Sequence, residues 1–271
     1  SLEKNSVING LNVLPNVEES SKLNPPQHVD KLYTVSNKGQ SGVNNSRSYT
    51  MDKRDWNRSF YGNISMVSPY DAGTGIKKHL VMNPNITDIR GYFNQPKEDI
   101  DKLKVDELLS VTEGLSPFAS RHDSSPRVAM SMQQTNHTIA TKGSMAPLVS
   151  MGMDESLAYL DSDFVFTAKD SGRVIELNEK FIKVQYGEGE KAVYEVFPLA
   201  ATERNSAKSF FISNNVVLNK DLKIKVGKKV KKGDIIAYNQ DFYTMDGSYI
   251  VYKSGPIVNV AIAHTQLSYE D

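Results

Sequence analysis

Residues 164–197 read FVFTAKDSGRVIELNEKFIKVQYGEGEKAVYEVF. The runs FVFTAK, RVIEL, FIKVQY and AVYEVF are rich in β-branched and aromatic residues, and DSG and GEGE between them are turn chemistry. The pattern continues downstream through DIIAY (234–238), YIVYK (249–253), the SGP break and IVNVAIAH (257–264). Strand-length runs at this spacing over more than a hundred residues predict a barrel or sandwich from about residue 160 onward. No internal repeat or low-complexity tract interrupts them.

Upstream the character changes. In RHDSSPRVAM (121–130), Asp123, Ser124 and Ser125 are good N-cap types and Pro126 suits a first helical position, so a helix is expected to begin there. Arg127 then falls in its first turn, where a cation opposes the positive end of the helix dipole. An anionic ligand shared between the guanidinium and free backbone N–H groups would explain it. Residues 97–118 favour helix by propensity, but Asp106 could cap a shorter helix over DELLSV after a brief strand at 100–105, which is the reading adopted. Residues 1–60 show little periodicity and are broken at Pro15, Asn24-Pro25-Pro26, Gly39 and Gly42, which predicts a loop-rich tract packed against something else, with disorder as the alternative. Between 61 and 94 short apolar groups flank a turn at 69–75.

The bulk numbers exclude several classes. The chain has 271 residues, enough for one large or two modest domains, with an apolar fraction of only 39%. Its formal net charge is zero, so no global basic field advertises nucleic acid and any such contact must be local. Absence of cysteine removes disulfides, thiolate ligands and a cysteine nucleophile, and is compatible with an intracellular setting. No apolar run reaches membrane-spanning length and no signal peptide is expected, so the Asn85-Ile86-Thr87 and Asn136-His137-Thr138 glycosylation patterns read as chance. Because Ser1 stands where a Met would, the start is either processed or internal to a longer gene.

Individual motifs are weighed against plainer readings. Seven lysines between Lys220 and Lys232 could track phosphates, but Ile224, Val226, Val230, Ile235 and Ile236 favour a strand–turn–strand with lysines on the wet face and GD as the turn. Asp161 and Asp163 resemble a metal pair, yet turn chemistry at the mouth of a strand is preferred. His28, His79, His122, His137 and His264 lack metal-ligand spacing, and His122 reads as a packing or hydrogen-bonding residue. Phosphate-loop, dinucleotide and nucleophile-elbow motifs are missing.

Taken together, six segments in one order carry a resemblance. LSPFASRHDSSPRVAMSMQQTN resembles the active-centre segment of the second-largest subunit of multisubunit DNA-dependent RNA polymerases, and HDSSPR is closer to the eukaryotic wording. NPPQHVDKLYTVSNKGQSGV (24–43) is similar to the stretch from the rifamycin pocket to the fork loop, and YGNISMVSPYDAGTGI to the segment after the fork. MAPLVSMGMDESLAYLDSDFVFTAKDSGRVI resembles the entry to the barrel, VGKKVKKGDIIA its glycine–aspartate turn, and VNVAIAHTQLSYED the strand ending in an aromatic-Glu-Asp signature.

The resemblance implies an α+β, mostly β fold: a fork region over 1–95, a connector over 96–112, and an active-centre region over 113–271 containing half of a double-psi barrel. It implies nucleotidyl transfer within a complex and inactivity alone. Arg127 would contact the triphosphate of the incoming nucleotide, with Ser125, Pro126 and Gln133 beside it. Glu270 and Asp271 would face the second magnesium, the principal Mg2+ being held by a β′-like largest subunit. Arg47, Asn45 and Asn136 would contact nucleic acid. Implied partners are that largest subunit, the remaining β fragment or fragments, DNA template, RNA transcript and nucleoside triphosphates, with no membrane. By family standards the chain lacks the N-terminal lobes, the flap and the second barrel half, which looks like the split polymerases of giant bacteriophages. The location would be the bacterial cytoplasm or the virion. Lys31, Thr34 and Lys38 replace the family's rifamycin-pocket residues while Ser36 is kept, which implies drug resistance. A non-enzymatic β-sandwich virion or scaffold protein would explain the strands but not the SPR helix start. A single-chain polymerase would need an aspartate run that the sequence does not contain.

Overall fold

In the computed structural model, residues 23–38, 51–69, 73–93, 100–205, 210–215 and 223–263 are described, with the isolated positions 6, 10 and 43. The helices are α1 (Pro25–Tyr33), α2 (Met51–Arg54), α3 (Val111–Gly114), α4 (Ser124–His137) and α5 (Met153–Leu160). The strands are β1 (Thr34–Ser36), β2 (Lys77–His79), β3 (Val165–Thr167), β4 (Gly172–Leu177), β5 (Phe181–Tyr186), β6 (Val193–Pro198), β7 (Ala200–Asn205), β8 (Phe210–Asn215), β9 (Lys229–Val230), β10 (Ile235–Tyr238), β11 (Tyr243–Asp246) and β12 (Tyr249–Tyr252). The fold is α+β. Helix and strand contribute in similar measure rather than the chain being mostly β, and among the described residues the strands form separate small sheets without a closed barrel.

Alternation along one strand pair divides the interior in two. β3 and β10 are antiparallel, with Ala237 opposite Phe166 and Tyr238 opposite Val165. Because side chains alternate faces, Phe166 and Ala237 enter one apolar cluster with Val174, Ile182, Val184 and Phe197. Val165 and Tyr238 enter another with Val29, Val111, Leu157, Phe164 and Tyr243. The first core lies against the four-stranded sheet β6-β5-β4-β9. In the second, the helices meet the β11–β12 hairpin, so this pair joins the sheet module to the helical module.

Gly172 shows how close the packing is at β4. A Cβ there would lie 2.3 Å from the Gln185 carbonyl oxygen and 2.7 Å from the Tyr186 ring, so only glycine fits.

Several expectations need correction. The Asn24-Pro25-Pro26 breaker opens a helix: Asn24 accepts a hydrogen bond from the Gln27 N–H at 2.8 Å, and both prolines sit in the first turn, where no N–H is needed. No strand forms at 100–105, and Asp106 caps no helix but lies inside a 3-10 turn whose N-cap is Lys104. Residues Ile100–Lys102 and Val105–Glu107 are 3-10 turns, held locally by the Lys104 N–H on Glu107 Oε2 (2.9 Å), and the helix begins only after Ser110.

The expected strand at 257–264 pairs with nothing over its described part, 257–263. The only ladder contact nearby is Met145 with Gly255, and Ile262 is 99% exposed. Apolar alternation qualifies a segment as a strand, but pairing makes it one. The GD turn is real, with Gly233 at φ 86°, yet β9 and β10 do not form a hairpin: β9 pairs with β4 and β10 with β3. The described lysines of that stretch lie at the surface or half-buried, as expected, but Val226 is exposed as well.

Candidate anion site at the start of helix α4

The predicted helix exists. It begins at Ser124, with Asp123 as an N-cap that makes no side-chain cap bond, so Pro126 occupies the third helical position rather than the first. The first four helical N–H groups have no intrahelical acceptor, so proline is tolerated there equally well. Arg127 lies just inside, its own N–H on the Asp123 carbonyl at 3.2 Å.

The puzzle of a cation at a positive helix end has an internal answer. The Arg127 side chain turns inward, and its Nε donates to Glu113 Oε1 at 2.8 Å. Glu113 is wholly buried in α3. Its other oxygen, Oε2, accepts the Ser110 N–H at 2.7 Å while Ser110 Oγ accepts the Glu113 N–H at 3.2 Å, a capping box that fixes the carboxylate from its own side. Arg127 Nη1 reaches the carbonyls of His122 (3.3 Å) and Ala119 (3.5 Å) in the LSPFASRHD loop. An anionic ligand is therefore not required to neutralise Arg127, contrary to the sequence expectation. Among the described residues, however, Nη2 has no hydrogen-bond partner.

The loop supplying those carbonyls is held in an unusual shape. Phe118 adopts φ 57°, in the left-handed region that costs a non-glycine residue roughly 1–2 kcal/mol, and the buried Ala119 follows it. His122 Nε2 faces the Pro117 carbonyl at 3.2 Å, so the hydrogen-bonding reading of His122 holds. Beside it a cleft of about 390 Å³ runs along α4, lined by Ser116, His122, Met130, Gln133, Gln134 and His137.

Ser125, Pro126, Arg127 and Gln133 lie on one helix, but of these only Gln133 lines the cleft, while Ser125, Pro126 and Asn136 are exposed. Arg47, Asn45, Glu270 and Asp271 lie outside the described residues, as does His264. Among the described residues no group of three or more His, Asp or Glu side chains is placed to hold a metal ion. Asp161 and Asp163 show the turn chemistry preferred for them. Asp161 is fully buried and accepts the Asp163 and Phe164 N–H groups (3.1 and 3.0 Å) and the Tyr243 hydroxyl (2.7 Å), the turn chemistry expected of it. His28 lies between the two, Nδ1 3.0 Å from Asp161 and Nε2 3.1 Å from Asp163.

Sequence reasoning missed Glu113. Its signal was nonetheless present: Ser110-Val111-Thr112-Glu113 is an S-x-x-E capping box, a pattern that announces a fixed carboxylate. Its aim at Arg127 depends on how α3 packs on α4, where Thr112 Oγ1 and Ser131 Oγ are 2.6 Å apart.

The class these features define is an α+β protein carrying a caged arginine at a helix start beside an open cleft. No family model matches the chain. Among curated proteins it is similar to the β subunits of DNA-directed RNA polymerase. It is 27% identical to that of Desulfatibacillum aliphaticivorans over 143 residues, covering 52% of this chain and 10% of the relative. To that of Fusobacterium nucleatum it is 30% identical over 131 residues, 48% of this chain and 10% of the relative. The longest of these similarities is to the subunit of Karelsulcia muelleri, 22% identical over 230 residues, 84% of this chain and 16% of the relative. The chain thus spans about a tenth to a sixth of the length of these relatives. Among the described residues no helix is long and apolar enough to cross a membrane.

Proposed function

We propose that this chain is part of the β-like subunit of a multisubunit DNA-directed RNA polymerase, where it helps bind the incoming nucleoside triphosphate and the template–transcript hybrid. The observation that carries this reading is the similarity to β subunits over as much as 84% of the chain, within which Arg127 offers an uncommitted guanidinium Nη2.

In this reading Arg127 binds the triphosphate tail. Two of its nitrogens are already held by protein oxygens, so the cation is oriented before substrate arrives, and less ordering remains to be done on binding. Ser125, Pro126 and Gln133 border the nucleotide, while Asn136, Asn45 and Arg47 meet the nucleic acid. Magnesium supplies charge neutralisation of the phosphates when bound. In this reading its principal ligands belong to a β′-like partner, and Glu270 and Asp271 approach a second ion. The fork region would span 1–95, a connector 96–112, and the active-centre region, with half of a double-psi barrel, 113–271. The rest of the β subunit would come from further polypeptide, as in a split, phage-type enzyme working in the bacterial cytoplasm or carried in the virion.

The test is co-purification of the chain with its partners, identification of those partners by mass spectrometry, and a nucleotide-incorporation assay. Arg127→Ala in the assembled complex is expected to raise the nucleotide KM or lower kcat by about tenfold or more. An unchanged extension rate would refute this role for Arg127, and absence of any polymerase partner would refute the assignment as a whole.

A further inference from the structure

We infer that Glu113 is the positioning residue for Arg127: a buried carboxylate that selects which face of the guanidinium is left for an anionic ligand. The inference rests on the proposed triphosphate-binding role of Arg127. A structural ion pair welding α3 to α4 is the alternative, and three observations favour positioning.

First, Glu113 is held from both ends. Oε2 is committed to the Ser110 N–H and Oε1 to Arg127 Nε, so the carboxylate cannot swing to engage a second guanidinium nitrogen without breaking its own capping box. Second, the contact is made at Nε, the nitrogen nearest the helix, with Nη1 turned towards the His122 and Ala119 carbonyls. Every acceptor found thus lies on the Nε and Nη1 side, and Nη2 alone has no partner among the described residues. A pair built only for stability would be expected to engage the carboxylate in bidentate fashion. Third, Glu113 lies wholly inside the protein, so it offsets the conflict between Arg127 and the helix dipole without standing in the path of an approaching anion.

The experiment is a double-mutant cycle in the assembled complex, reading nucleotide KM and kcat separately. Glu113→Gln keeps the volume but offers one acceptor oxygen for two donors. It is expected to raise KM by about tenfold, with a smaller effect on kcat, and to add nothing further in the Arg127→Ala background. Glu113→Asp retains the charge and retracts it by one methylene. It serves where Gln prevents assembly, with an expected KM increase of a few fold.

If Arg127→Ala itself leaves KM and kcat unchanged, the parent reading fails. If Arg127→Ala is damaging but Glu113→Gln and Glu113→Asp complexes keep the original KM, the positioning inference alone is overturned. Effects of the two substitutions that multiply, rather than merge, would likewise overturn it, because they would show Glu113 acting apart from Arg127.

Discussion

Separate parts of the chain converge on Asp161. Its carboxylate, with no exposed surface, accepts from a histidine of α1, a tyrosine of β11 and two N–H groups of its own turn. His28 places one ring nitrogen against each of two carboxylates, Asp161 and Asp163. Asp161→Ala would strand these donors in the interior, and a loss of about 3–5 kcal/mol is expected in urea unfolding. Tyr243→Phe removes one bond to a charged acceptor and is expected to cost about 1.5–3 kcal/mol.

Two tyrosines give a pH signature at the same scale. Burial, opposed by a hydrogen bond with Thr138, pushes the Tyr252 hydroxyl up to about 12. Burial first, and then the Glu195 carboxylate that accepts the Tyr186 hydroxyl at 2.9 Å, pushes Tyr186 to about 12 as well. A pKa raised on folding means that the native state holds the proton more tightly than the unfolded chain. The associated stability is therefore complete below the ordinary value of 10.0 and drains away as pH rises towards about 12. Chemical denaturation along that range should show the decline, and it should be shallower in Tyr186→Phe and Tyr252→Phe. A flat profile would contradict the burial argument.

At the scale of elements, Asn24 ties two helix ends together. Its side-chain oxygen caps the start of α1 while its amide nitrogen donates to the carbonyls of Thr135 (3.1 Å) and Thr138 (3.0 Å) at the end of α4. Asn24→Asp keeps the cap but replaces the donor with a buried negative oxygen facing two carbonyls. It should lower stability by about 2–4 kcal/mol, more than Asn24→Ser, and a calorimetric ranking of the two would decide it. Gly172→Ala is expected to destabilise the β4–β5 pairing, since a methyl group would run into the Gln185 carbonyl and the Tyr186 ring. Its effect should appear as faster amide exchange in β4 and β5, with the α3–α4 contact spared, because neither helix contributes to the core that β4 and β5 line.

Across the whole molecule, local chemistry and long-range placement divided the legibility of the fold unevenly. FVFTAK, RVIEL, FIKVQY and AVYEVF could be read directly, because each pairs with a near neighbour or carries its own alternation. IVNVAIAH carries the same signal and forms no ladder over its described residues, because among the described residues no strand pairs with it. The start of α4 was legible to within two residues from Asp123, Ser124, Ser125 and Pro126. Asn24-Pro25-Pro26 was misread as a break, because Asn and Pro signal both loop and helix start, and the residues downstream of them make the choice.

Turn chemistry and helix-start residues by themselves determined a series of strands from about residue 160 and, before them, a helix with a cation near its head, since those preferences act over a few bonds. Whether that cation faces water or a carboxylate was decided only when α3 packed against α4 and brought Glu113 to 2.8 Å from Arg127 across fourteen positions of chain. A contact of that kind is set by the packing of α4 on α3, where Thr112 Oγ1 and Ser131 Oγ lie 2.6 Å apart, and on α1. No local preference encodes it, because its energy comes into being only when the distant surfaces close and water leaves.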